Sequence, residues 1–317
     1  MKEKDKKIIF HVDNEDQGLR VDKFLDYKNL GISRSKIQKL INSGKVKSSG
    51  LVISKNYLLK GNEAIEIEDI NLPVSEYQYK PQNIKLKIIY EDDYLLAVSK
   101  DAGVVVHPAP GHHEDTLINA LINYDDRLSG IGGNSRAGIV HRLDKDTSGI
   151  ILIAKDEKTH VILSEKFKQR EIEKTYEALV LGNFKEPAGI INMPIGRSLK
   201  DRKKMGITIK GRESITNFKI IRQFNGCSLV EAYPKTGRTH QIRVHFSYIG
   251  HPVIGDKDYG NKETEKIAKE IGLKRQFLHA KRIIFIHPVS SRQIDLSDTL
   301  SPDLSECIVR LNEKFAL

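Results

Sequence analysis

Only two cysteines occur in the 317 residues, Cys227 and Cys307, and neither stands in a CxxC pair. That excludes a disulfide framework and a zinc knuckle, and leaves two small buried or surface side chains. Long apolar runs are also missing. Uncharged stretches such as Gly149 to Ala154 fall far short of the roughly 18 residues a membrane span needs. The opening MKEKDKKIIF is charged where a secretory leader would be apolar, which points to the cytoplasm. There is no GxxxxGK[ST] loop, no GxGxxG, no GxSxG elbow, no HExxH and no PCxxC. Nucleotide hydrolysis, hydride transfer and zinc chemistry each lose their usual support. No internal repeat and no low-complexity tract is present.

What the sequence does have is basic charge on a globular background. Hydrophobic residues make up 39% and charged residues 30%, enough for a sizeable core. Lys and Arg number 52 against 42 Asp and Glu, a net +10, and the pI near 9.3 suits a partner rich in phosphate. Many soluble proteins are mildly basic, so the distribution carries more weight than the sum. Lys28, Arg34, Lys36, Lys39, Lys45, Lys47, Lys55 and Lys60 follow one another between Asp26 and Glu63 with no acid among them. A second cluster runs from Arg197 to Arg212, includes Lys203, and is opposed only by Asp201. Two separate clusters suggest two contacts to one polyanion.

Residues 1–14 read as a charged lead-in and residues 15–70 as a small α/β module. A first helix is expected within Gly18 to Tyr27. A second is expected over Arg34 to Ser43, with Ser33 as N-cap and Gly44 as C-terminal cap. Ile37, Leu40 and Ile41 share one face of it, and Arg34, Lys36 and Lys39 fall mostly away from that stripe. A basic side left wet suits an RNA backbone, although a solvated face with no ligand explains it equally well for a helix alone. Short strands are expected around Leu51 to Ile53 and Ala64 to Ile67. Residues 71–84, with Pro73 and Pro81, read as a linker.

The remaining residues, 85–317, read as one larger domain. Strands are expected at 87–90, 95–98, 139–142, 150–154, 176–181, 217–221, 228–233 and 282–286, and helices at 116–122, 157–169 and 239–249. Strands outnumber helices and follow one another in pairs. An α+β fold with a mixed or antiparallel sheet therefore fits better than a doubly wound one.

Three segments of this domain could carry chemistry. In Gly138-Ile-Val-His-Arg-Leu-Asp-Lys-Asp-Thr-Ser-Gly149 a strand enters, a polar loop turns and an apolar strand leaves. Asp144 sits at the sheet rim two residues after Arg142, whose charge would keep the carboxylate ionised, as a nucleophile or base requires. A structural Arg–Asp pair in a turn closed by Thr147, Ser148 and Gly149 is the plainer alternative. In Lys174-Thr-Tyr-Glu-Ala-Leu-Val-Leu-Gly182, Tyr176 is either a base-stacking ring or an ordinary core aromatic. In Thr236-Gly-Arg-Thr-His-Gln-Ile-Arg-Val-His245, Arg238, His240 and Arg243 gather near a helix start, suited to phosphate or carboxylate. Neither the pair His240 and His245 nor the adjacent His112 and His113 has the spacing of a metal site, so no metal is expected.

These segments, in this order, resemble the RluA-type pseudouridine synthases. His141-Arg142-Leu143-Asp144 followed by Asp146-Thr147-Ser148-Gly149 is similar to that family's HRLDxxTSG motif. Lys100, Gly103, His107 and Pro108 resemble its first motif. Lys174, Tyr176 and Gly182 resemble KxYxAxVxG, Pro194 to Arg197 its PIGR stretch, and Thr236 to His245 its TGRTHQIRVH. Gly255-Asp256, Tyr259-Gly260, Leu278-His279-Ala280 and His287-Pro288 match its C-terminal pattern. Residues 15–70 resemble the S-four-like RNA-binding domain that often precedes it. One departure is Asp101, which stands where the family usually has proline, and a looser turn is expected there.

The resemblance implies isomerisation of chosen uridines in structured RNA, with no cofactor and no metal. Asp144 becomes the essential carboxylate, either attacking the anomeric carbon or removing a neighbouring sugar proton. Tyr176 would stack on the target base and assist loss of the proton from carbon 5. Arg243 would hold Asp144 ionised, and Arg142 would fill the space left by the extruded base. Arg238, His240, Lys203, Arg34, Lys36 and Lys39 would contact the RNA. The S-four-like module resembles the branch acting on large-subunit ribosomal RNA, with transfer RNA as the other option, and a monomer is expected. Rivals from other classes are a non-catalytic RNA-binding or ribosome-assembly factor, and a hydrolase using Asp144 with His141 or His240.

Overall fold

Alternation of apolar and polar residues in short segments builds the first of two units, Met1–Tyr79, and the second runs from Lys80 to Leu317. The computed structural model describes residues 7–13, 16–28, 34–68, 80–107, 114–132, 137–198 and 201–315, without the side chains of Tyr27, Arg34, Ser35, Lys36 and Ser129. Ser33, Pro73 and residues 71–79 of the expected linker, Pro108, His112, His113 and the side chains of Arg34 and Lys36 thus lie outside the described residues.

The first unit contains β1 (Ile8–His11), α1 (Val21–Tyr27), α2 (Arg34–Asn42), β2 (Val46–Ser48), β3 (Leu51–Val52) and β4 (Ala64–Ile67). The strands form an antiparallel sheet in the order β1-β4-β2-β3. Phe24 and Leu25 of α1, Ile37 and Ile41 of α2, and Ile65 and Ile67 of β4 make its core. Lys39, off that stripe, is exposed. Buried Asp22 takes two bonds from Arg20 and one from Gln38 at 2.8 Å, which ties the two helices together. Gly44 ends α2 at φ +74°, as a C-terminal cap should. One expectation fails: Ile8 to His11, placed in a charged lead-in, pair with β4.

The second unit contains β5 (Lys87–Glu91), β6 (Leu95–Lys100), α3 (Leu117–Tyr124), β7 (Ser148–Ala154), α4 (Glu157–Gln169), β8 (Glu173–Leu181), β9 (Ala188–Asn192), β10 (Ile195–Arg197), β11 (Met205–Ile207) and β12 (Ile215–Phe224). After these come β13 (Cys227–Pro234), α5 (Gln241–Tyr248), α6 (Lys262–Ile271), β14 (Leu278–Ile286), β15 (Gln293–Ser297) and α7 (Pro302–Lys314). The main sheet runs β5-β6-β7-β14-β8-β13-β12-β9, with β15 also on β14. All its pairings are antiparallel except β7 with β14, so the α+β mixed-sheet expectation holds.

Two stretches differ from expectation. Residues 139–142 do not form a strand beyond a single bridge from Ile139 to Ile153. The reason is a side chain: the Leu152 amide of β7 donates to His141 Nε2 at 2.8 Å, so an imidazole replaces the backbone partner. The helices α6 and α7 went unread, although Thr264, Ile267, Ala268 and Ile271 keep helical spacing. Ile267, Ala268 and Ile271 pack with Leu304, Cys307 and Leu311 against Cys227 and Phe224. Both cysteines are buried and free. No helix among the described residues is long and apolar enough to cross a membrane.

Candidate active site

A loop that leaves the sheet with four charged residues needs anchors, and residues 141–147 have several. His141 is clamped by the Leu152 amide and stacks on Phe167 at 4.6 Å. Burial, helped by Lys174, pushes its imidazole down to about 3, so it is a neutral prop. Buried Lys100 gives its ammonium to the carbonyls of Asp101 (2.8 Å), Val104 (2.9 Å) and Lys145 (3.0 Å). Burial pushes this amine down to about 7. Because Lys100 holds both ends of the 101–104 turn, and the Gly103 amide donates to the Lys145 carbonyl at 2.9 Å, Asp101 in place of proline does not leave the turn loose. The loop itself is closed by the Thr147 amide on the Asp144 carbonyl at 3.1 Å, not by the Thr147 or Ser148 side chains. Ser148 turns away, 3.0 Å from His279 Nδ1. Gly149 sits at φ +114°, and a methyl group there would strike the Ala280 backbone of β14.

Asp144 is thereby presented to α5. Its Oδ2 accepts from Arg243 Nη1 at 3.1 Å, and His240 Nε2 lies 3.9 Å from Oδ1. Arg142, expected to hold the carboxylate ionised, makes no ion pair with it among the described residues. It is exposed and edges the space on both sides of Asp144. Sequence adjacency misled because Arg142 stays exposed while Asp144 is taken by Arg243, which arrives on α5. Arg243 is only 4% exposed, which an ionised guanidinium tolerates only when its donors are met. Nε and Nη2 grip Asp256 at 2.7 and 2.8 Å, and Nη2 also reaches Asp258 at 2.7 Å. Against the penalty of burial, Asp256, Asp144 and Asp258 raise its pKa above the ordinary value.

The turn into α5 explains why these side chains converge. His240 is its N-cap in the left-handed region, φ +56°. Gln241 fixes that strained turn. Its Oε1 accepts from Thr236 Oγ1 (2.7 Å) and the Arg238 amide (3.0 Å), while its Nε2 donates to the Ile215 carbonyl and Thr216 Oγ1, both at 3.0 Å. His240 Nδ1 is 2.8 Å from the Tyr259 hydroxyl, which also accepts from the Met205 amide at 3.0 Å. Burial lowers the His240 pKa. Both nitrogens of buried His245 are engaged, by Thr216 Oγ1 at 2.9 Å and the Met193 carbonyl at 3.0 Å.

A cavity of about 470 Å³ opens over Asp144, within the range of small-ligand sites. Tyr176 and Lys174 of β8 line it, two residues apart and so on one face. Burial and the Asp144 charge raise the Tyr176 phenol above its usual pKa, so it is protonated at neutral pH. Burial and nearby Lys235 push the Lys174 amine down to about 8. Arg238 lies on the rim and donates to the Glu213 carbonyl at 3.2 Å. A smaller cavity of about 350 Å³ adjoins Asp144 from the other side and is bordered by Val105, Val106, Lys257 and Gln276.

Of the residues expected at the site, Asp144, Tyr176, Arg243, Arg142, Arg238 and His240 share this cavity. Lys203 does not. It is exposed in the turn between β10 and β11, where its amide donates to Asp201. Arg34, Lys36 and Lys39 are on α2 of the first unit. The sequence reading assigned no role to Asp256, Asp258 or Tyr259, the carboxylates and ring around Arg243. A buried arginine demands such partners, and the run Gly255-Asp256-Lys-Asp258-Tyr259 was there to supply them.

Comparisons with known proteins agree with this geometry. The RNA pseudouridylate synthase family matches residues 94–248 and the S4 domain matches residues 19–65. An uncharacterized RNA pseudouridine synthase of Synechocystis is 40% identical over 94% of this chain and 90% of its own length. The ribosomal large subunit pseudouridine synthase D of Zymomonas mobilis is 40% identical over 90% of this chain and 92% of its own. The solved structure of human RNA pseudouridylate synthase domain containing 1 is 27% identical, covers 71% of this chain and 89% of its own, and superposes with a TM-score of 0.58. A motif order that spans the second unit, a carboxylate set over an arginine in a nucleotide-sized cavity and close relatives over almost the whole chain lead to one assignment: the chain belongs to the RluA-type RNA pseudouridine synthases and carries an S4 domain ahead of the catalytic one.

Proposed function

We propose that this enzyme isomerises uridines of large-subunit ribosomal RNA in the cavity over Asp144. The supporting observation is the pairing of Asp144 with Arg243 at 3.1 Å on the floor of a cavity that Tyr176 also lines. The reaction breaks the bond from uracil N1 to C1′ of the ribose and forms a bond from C5 to C1′. N1 gains a proton and C5 loses one, so no cofactor is consumed. Asp144 either attacks C1′ or removes the neighbouring sugar proton, and the Arg243 guanidinium at 3.1 Å holds its carboxylate in place for both. Tyr176 stacks on the uracil. As a protonated phenol it first serves as a donor, and it accepts the C5 proton only after its own has left. Arg142, exposed beside Asp144, takes the place of the extruded base, because a stacked base hides its glycosidic bond. Arg238 and His240 contact the nucleotide. Lys203 of the hairpin turn, and Arg34, Lys36 and Lys39 of the S4 domain, meet phosphates farther along the RNA. The large-subunit substrate is favoured by the names of relatives in Zymomonas and Xanthomonas, both ribosomal large subunit pseudouridine synthase D. The enzyme works as a monomer in the cytoplasm, and residues 71–84 link its two domains.

The test is release of tritium from C5 of uridine in rRNA taken from cells lacking the enzyme. Wild type should release it and Asp144→Asn should fall by about a thousandfold or more while binding RNA within a few fold. Equal release by the two proteins would remove Asp144 from the chemistry, and free uracil among the products would support hydrolysis instead. Tyr176→Phe should keep KM and lose about a hundredfold in kcat; full activity would confine Tyr176 to packing.

A further inference from the structure

Three arginines from separate elements meet on the rim of the Asp144 cavity: Arg170 after α4, Arg212 before β12, and Arg238 before α5. None is spent inside the fold as Arg243 is. Arg212 is anchored by its backbone, which exchanges two hydrogen bonds with Ile195 at 2.8 and 2.9 Å, and its side chain is exposed. Arg238 uses Nε on the Glu213 carbonyl at 3.2 Å. Arg170 pairs with the Glu213 side chain at 2.7 Å. The Glu213 carboxylate is thus held by Arg170, while its backbone carbonyl holds Arg238. The guanidiniums are near enough to repel: burial, then Arg212 and Arg170, lower the pKa of Arg238. Arg170 is also the left-handed C-cap of its helix, φ +66°, where glycine would relieve the strain. Like charges this close are costly to the empty protein, Glu213 offsets the charge of Arg170, and an arriving anion would offset the rest.

We propose that Arg170, Arg212 and Arg238 form a phosphate site for the phosphodiester flanking the target nucleotide, with Glu213 occupying that site until RNA displaces it. The proposal rests on the reading that the Asp144 cavity receives the target uridine. The phosphate is the chemical match because planar guanidiniums grip its oxygens in pairs, and one phosphodiester draws together side chains that otherwise repel. Glu213 keeps Arg170 turned toward the rim in the free enzyme and gives way at little cost, since the pair is about half exposed (40% and 56%). In the sequence Arg238 stands in a chemistry-bearing segment and Arg212 ends a basic cluster, whereas Arg170 belongs to neither, and only the fold brings the three together.

The experiment measures tritium release from C5-labelled total RNA of cells lacking the enzyme, across a series of KCl concentrations. Arg170→Gln and Arg212→Gln should each raise KM about tenfold at moderate salt. Each should also make the slope of log KM against log salt shallower by about 0.7–0.9, the value of one phosphate contact. Glu213→Gln should act in the opposite sense and lower KM about two- to fourfold, because the site is vacated in advance. Lys266→Gln on α6 removes the same charge away from the cavity and controls for net charge. Unchanged KM and slope in both arginine variants would overturn the proposal. So would a Glu213→Gln enzyme weakened as much as Arg170→Gln, since the pair would then be a structural brace. Asp144→Asn run in parallel separates the failures. If it still turns over, the cavity reading falls; if it is dead while the arginine variants behave as wild type, the phosphate site alone falls.

Discussion

Arg243 and the rim arginines face one cavity, yet the fold treats them oppositely. Arg243 is buried with four bonds to Asp144, Asp256 and Asp258. Of Arg170, Arg212 and Arg238, Arg170 pairs with the Glu213 carboxylate, Arg238 takes only the Glu213 backbone carbonyl, and the Arg212 side chain is exposed. A guanidinium satisfied inside the protein has already met its desolvation cost, and its charge acts on whatever it touches, here Asp144. One left open keeps its donors for a ligand. The same side chain is scaffold in one wall and receptor in the other, and the surrounding carboxylates decide which.

The sharpest way to break that contrast is to strip Arg243. Asp256→Ala leaves a buried charge half-paired and should cost about 3–5 kcal/mol in urea unfolding. Asp258→Ala, whose carboxylate is 46% exposed, should cost under about 1 kcal/mol. Equal costs would mean that Arg243 is not held as a saturated internal cation. A second way uses pH. Buried groups on the scaffold side should answer to protons, and rim groups to salt. Below about 6.5 the unfolded His141 imidazole binds a proton that the folded one refuses until about 3. Stability should therefore fall as pH drops through that window, by up to about 1.4 kcal/mol per unit from this residue. His141→Gln, which can still accept from Leu152, should flatten the slope between pH 6 and pH 4; an identical slope would show that His141 is not buried neutral. The smallest effect is expected at the surface. Asp101→Pro breaks an exposed pair with Lys87 (2.6 Å), and Lys100 still holds the turn. The change should stay within about 0.5 kcal/mol.

Local patterns were legible and distant pairings were not. The bounds of α4 and β4 follow from apolar spacing and capping, as does the end of α2 at Gly44. Most residues of the cavity were readable from their motifs, because the residue types carry the chemistry. Which arginine serves Asp144 was not readable. Arg142 is two positions away and faces outward, whereas Arg243 is 99 positions away and arrives on α5. The expected strand at 139–142 failed for a related reason, since nothing in the pattern says that an imidazole will replace a backbone acceptor. Glu213 and Arg170 are 43 residues apart, and only the sheet makes them neighbours.

The contact between β7 and β14 has a consequence for how the enzyme comes into being. These strands meet through two residue pairs only, Ser148 with His279 and Gly149 with Ala280, before β15 takes over the edge of β14. Asp144 enters on the β7 side of this seam and Arg243 on the other. Neither half alone contains the Asp144–Arg243 pair, which joins residues 99 positions apart and so needs a long stretch of chain to be closed. The Asp144–Arg243 ion pair therefore reports that the two halves have docked. A chain that has its helices and most of its strands but not this seam lacks the pair.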